Sequence, residues 1–144
     1  MIGSVLINGH RLPSLLAKMA LTGEWGPAIK GFDQSSLPIA EELALLDIQG
    51  MEDNTSELYQ AFHRGEGPLF GLRDASTLED GALNIRAAVM IAATYGQEAL
   101  VLDYSASEEV PRVMATNYSD QVRWEVICHD FESLLNILKL TEAT

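Results

Sequence analysis

Apolar and polar positions are most regularly patterned in the last third of the chain. Four short apolar segments, 89–93, 99–104, 112–117 and 122–128, stand between turn-rich breaks. Successive strand side chains point to opposite faces, so Val101 would face one side of a sheet and Leu100 and Leu102 the other. Gly96 supplies turn chemistry after the first segment, and 105–111 reads as a polar, acidic loop. These breaks are too short for helical crossovers, so strands paired across them run antiparallel. Asp130 is a candidate N-cap, Glu132 favours the positive end of a helix, and Phe131, Leu134, Leu135 and Leu138 give it a wide apolar stripe.

Upstream, residues 5–7 read as an edge strand or a frayed arm. Leu12, Leu15, Leu16, Met19 and Ala20 recur at helical spacing, with Pro13 in the first turn and Gly23 as the stop. Residues 23–38, rich in Gly and Pro, form a long loop. Ser36 is expected to cap a short helix with Ile39, Leu43 and Leu46 on one face, broken at Gly50. Asn54 or Thr55 would cap a further turn carrying Leu58, Tyr59 and Phe62. Residues 69–72 read as a short strand, and 82–86 fits either helix or strand. The expected fold class is α+β: a mostly antiparallel sheet with helices packed on it and a C-terminal helix, in a single domain over residues 1–144.

Composition agrees with a globular protein: 144 residues, 47% hydrophobic and 21% charged. With Cys128 as the sole cysteine, no intrachain disulfide can form. The N-terminus has no basic start and no small-residue cleavage site, and no apolar run approaches the about 20 residues of a membrane helix. A cytoplasmic protein with no membrane association is expected. The formal net charge of -12 repels nucleic-acid phosphate and favours a basic partner. Solubility alone is the competing reading of that charge.

No catalytic or metal-ligand motif is evident. Cys128 and His129 are neighbours in a strand and would face opposite ways, which argues against a thiol–imidazole pair. His10, His63 and His129 are far apart and lack ligand-spaced partners, so neither metal nor cofactor is expected. Gly65, Gly67 and Gly71 lack the Gly-Lys-Ser/Thr ending of a phosphate loop, and Glu66 would repel phosphate. Glu108 and Glu109 are either a solvated loop tip or an acidic contact for a cationic partner, a face that Asp120 could extend. Trp25, in the Gly/Pro-rich loop, is either a partner anchor or a lid on the domain's own core. Trp124 reads as core.

Three stretches carry a family likeness: LPSLLAKMALTGEW, VMIAATYGQEALVLDYSASEEVPRV and WEVICHDFESLLNIL. The first pairs Leu12-Pro13 with a helix and Gly23. The second has Ile91-Ala92, the Gly96 turn, Leu102-Asp103, and Pro111 with Val113. The third leads from Trp124 through Phe131 and Leu135. Together they resemble the SUKH superfamily, founded on the yeast cell-wall assembly regulator of the Smi/Knr type. The resemblance implies an α+β binding domain without catalysis. Bacterial members look like immunity proteins that neutralise toxins, often nucleases, whereas the fungal founder implies a regulatory scaffold binding another intracellular protein. On the toxin reading the partner is a basic toxin domain, with Glu108, Glu109, Asp120 and Trp25 as contacts. A small ligand-binding protein or enzyme would instead need Asp103, Arg112 and His129 to converge.

Overall fold

The computed structural model describes residues 5–67, 71–73, 81–96, 98–118 and 122–140, with only the backbone described at 118 and 122. Its centre is an antiparallel sheet built from β3 (Ala44–Leu45), β6 (Ala88–Ala93), β7 (Ala99–Asp103), β8 (Arg112–Tyr118) and β9 (Val122–Cys128), hydrogen-bonded in that order. The fold class is α+β, with helices packed on this sheet and a helix, α3 (Phe131–Ile137), near the C-terminus.

Both faces of the central sheet are covered, which explains why β6 and β7 read as nearly continuous apolar runs. On one face Val89, Ile91, Leu100, Leu102 and Val113 pack with Leu16 and Met19 of α1 (Ser14–Thr22) and with Phe131 and Leu134 of α3. On the other, Met90, Val101, Met114 and Trp124 meet Leu58 and Tyr59 of α2 (Ile48–Ala61). Leu72 and Leu83 join this second layer from a short parallel pair, β4 (Leu72–Arg73) and β5 (Leu83–Asn84). The expected opposition of Val101 to Leu100 and Leu102 is therefore found. In β6 a bulge falls between Met90 and Ala92. It lets both Ile91 and Ala92 join the same core, which strict alternation would forbid.

Local chemistry explains the element boundaries. β1 (Leu6–Ile7) and β2 (His10–Arg11) are joined by Asn8 and Gly9, with φ of 54° and 79°, as a tight hairpin turn requires. Gly23 ends α1 in the left-handed conformation at φ 82°. The Asp130 carboxylate caps α3 by accepting from the Ser133 amide at 2.8 Å.

Two expectations for the middle of the chain are corrected. The helix capped by Ser36 does not form: Leu37, Ile39, Leu43 and Leu45 are buried along a segment of turns and irregular backbone ending in β3. The side chain of Gln34 supplies what a helix would have supplied. Its Oε1 accepts from the Leu43 amide at 3.0 Å, and its Nε2 donates to the carbonyls of Ile39 and Glu41 at 3.3 and 2.7 Å. Gly50 does not break a helix either. It lies in the first turn of α2, where Asp47 Oδ1 accepts from its amide at 2.7 Å. Asn54 and Thr55 are consequently interior residues, not caps. Thr55 Oγ1 accepts from the Met90 amide at 2.9 Å and ties α2 to β6. The expected strand at 69–72 lies largely outside the described residues, of which only Leu72 is in β4. Residues 82–86 split between β5 and a 3-10 turn at Ile85–Ala87.

Candidate functional site

The meander dictates which loops meet. β7 ends and β8 begins at one end of the sheet, and β9, antiparallel to β8, returns to that same end before α3. The acidic loop 104–111 therefore lies beside the start of α3, and the start of α1 closes the third side. Between them is a depression of about 340 Å³ lined by Pro13, Ser14, Leu15, Glu109, Val110, Pro111, Asp130, Phe131 and Glu132. Its walls offer apolar surface, with Val110 55% exposed, and three carboxylates without a lining Lys or Arg. Hydrogen bonds from Ser133, hydroxyl first and then amide, hold the Asp130 carboxyl below the ordinary aspartate range, so it remains an anion.

The loop itself is tied down. The His10 ring stacks on Tyr104 with centroids 4.5 Å apart. Its two nitrogens face two acceptors, the Glu108 carboxylate at 3.0 Å and the Arg86 carbonyl at 2.6 Å. Tyr104 is buried, and its hydroxyl donates to the Arg11 carbonyl at 2.7 Å. Burial, with a smaller contribution from Glu108, pushes the Tyr104 hydroxyl pKa well up, keeping it a donor. Further along, Asp103 is buried and accepts from Arg112 Nε at 2.7 Å and from both donors of Ser105. The β1–β2 hairpin and two strand ends thus clamp the carboxylate-bearing loop.

The sequence-predicted contacts separate on this framework. Glu109 lines the depression. Glu108 neighbours it in the chain but is engaged by His10, with 65% of its side chain exposed. Asp120 lies outside the described residues. Trp25 is corrected: it is fully buried, meets Phe131 edge-on at 5.2 Å, and donates from Nε1 to the Ile91 carbonyl at 3.2 Å. It closes the domain's own core and offers no surface to a partner. Trp124 is core, as its strand position suggests. Asp130 and Glu132 were readable as helix-start residues, but their place in the depression follows only from the meander.

Other chemistry is quiet. Asp103 and Arg112 do pair, but His129 is exposed and, among the described residues, hydrogen-bonds to neither. Burial pushes the half-buried Cys128 thiol up to about 11, which keeps it protonated and poorly nucleophilic. No group of three or more His, Cys, Asp or Glu placed to hold a metal occurs among the described residues. No helix is long and apolar enough to cross a membrane among the described residues. Comparison with protein-family models, characterised proteins and solved structures returns no match.

Proposed function

We propose that this chain is a non-catalytic binding domain whose acidic end captures a basic protein. On this reading it is an immunity protein that neutralises a nuclease-type toxin by covering its active site or substrate path. The observation that carries the proposal is the depression itself. Apolar walls from Leu15, Val110 and Pro111 can take the stem of a partner's lysine or arginine, while Glu109, Asp130 and Glu132 meet the cationic head. The formal net charge of -12 would steer a basic partner toward any orientation, and the clamped loop would spend little entropy on docking. The SUKH resemblance supports the same reading, and no catalytic step is part of it.

The test is co-expression of this chain with any toxin-domain candidates encoded nearby. Protection of the host, together with a stable complex, is the expected result. A complex with a housekeeping protein and no toxin would assign the domain to regulatory scaffolding instead. Protection undiminished by reversing the charges of Glu109 and Glu132 would remove the depression from the account.

A further inference from the structure

At the opposite end of the sheet, the turn between β6 and β7 meets the second half of α2. A pocket of about 190 Å³ lies there, with Leu58, Ala61, Met90 and Ala93 as its apolar walls. Glu98 lines it and is only 7% exposed. Among the described residues its carboxylate has one hydrogen-bond partner, the Glu41 amide, at 3.5 Å from Oε1. That distance is too long for a strong bond. The nearby guanidinium does not serve it: Arg64 bonds to Glu66 at 2.9 Å and approaches Glu57 at 3.6 Å. With Glu57, Glu66 and Glu98 against Arg64, the lining carries an excess of negative charge.

Among the described residues no buried side-chain oxygen lacks a partner, so the Glu98 oxygen that makes no bond keeps contact with solvent at the pocket its side chain lines. An incoming cation would displace that solvent and pair with the carboxylate, and the apolar walls select a cation on an aliphatic stem. The pocket is below the about 300–1,000 Å³ of small-molecule sites. It is sized for a single anchoring side chain, the element that dominates many protein interfaces. We infer that the Glu98 pocket binds an alkyl-borne ammonium or guanidinium group, as presented by a lysine or arginine side chain of a partner protein. The site is separate from the depression that Glu109 lines and stands whether or not that depression binds.

The pocket also has a rigid frame. The Thr94 amide donates to the Glu98 carbonyl at 2.9 Å, and the Glu98 amide donates to Thr94 Oγ1 at 3.2 Å. Glu41 packs so closely over Gly96 that any Cβ there would collide with its carboxylate. Thr94 and Glu98 are therefore tied to each other before any ligand arrives.

The experiment is a ¹H–¹⁵N NMR titration of the full chain with three cations: N-acetyl-lysine methylamide, N-acetyl-arginine methylamide and putrescine. N-acetyl-norleucine methylamide serves as the neutral control. Saturable shifts confined to Asn54, Ala61, Ala93, Thr94 and Glu98 with the lysine or arginine compound, absent with the norleucine compound, are expected. Glu98→Gln should weaken that binding about tenfold or more, whereas Glu109→Gln should leave it unchanged. Equal shifts from the norleucine compound, or shifts spread over all acidic surfaces, would overturn the inference without any variant. Binding of putrescine but of neither amino-acid compound would also overturn it, by assigning the pocket to a free polyamine.

Discussion

Replacing Trp25 by Ala tests the packing of the long loop that sequence alone left open. The indole is fully buried, stacks edge-on against Phe131 and donates to the Ile91 carbonyl. Deleting a buried tryptophan side chain costs about 3–5 kcal/mol, a large share of the about 5–15 kcal/mol that holds a domain folded. The hydrogen bond is the smaller part. The Ile91 carbonyl also accepts from the Leu46 amide at 3.0 Å, so losing the indole does not orphan it. Its contribution stays near about 1 kcal/mol instead of a full desolvation penalty. Trp25→Phe, which keeps most of the ring and loses that bond, should therefore cost about 1–2 kcal/mol. Urea unfolding followed by far-ultraviolet circular dichroism would measure both, with Trp124 available as a fluorescent probe in either variant. A lower midpoint at unchanged slope is the expected signature. Trp25→Ala losing less than about 1 kcal/mol would refute the placement of this loop in the core.

Three further outcomes follow from particular contacts. Arg112→Leu leaves the buried Asp103 carboxylate with Ser105 alone and should cost about 1.5–3 kcal/mol in urea unfolding, with part recovered in the Asp103→Leu, Arg112→Leu double variant. Asp130→Ala should cost about 0.5–2 kcal/mol at neutral pH through loss of the α3 cap. Because the Asp130 pKa is lowered on folding, its contribution is complete above the unfolded value of about 3.9 and fades as pH falls through the folded value. The stability gap between wild type and Asp130→Ala should therefore narrow in acid, and a gap constant down to pH about 2 would contradict the cap. Cys128, with its thiol pKa pushed up to about 11, should react with a disulfide reagent at pH about 8 far more slowly folded than unfolded, and equal rates would refute its burial.

How much was legible in the sequence follows from where each residue finds its partners. The four strands and α3 were readable because their patterning is local: Val101 opposes Leu100 and Leu102, and Asp130 caps the residues that follow it. The segment around Ile39 and Leu43 misled, because those positions fit a helical face as well as irregular backbone. What decides between the two is a side chain several residues away, Gln34, which takes over the backbone hydrogen bonding. Gly50 misled for a related reason. It weakens a helix interior, but at the first turn its amide is free to be capped by Asp47. The candidate site was half legible. Glu109 stood out as a loop carboxylate, but its neighbours Asp130 and Glu132 join it only through the return of β9. Glu98 carried no sequence signal, since burial of a single carboxylate beside a turn is a property of packing.

The proposed capture of a basic protein rests on the carboxylate-lined depression at the β7–β8 end. Surface plasmon resonance of the purified chain, in low and high salt, against a basic toxin domain that it protects against in co-expression would decide this. Wild type would be compared with the Glu109→Lys, Glu132→Lys variant. Fast association that slows as salt screens the charge, and affinity reduced about tenfold or more in the variant, are the expected results. No binding at micromolar concentration, or binding that neither salt nor charge reversal alters, would contradict it.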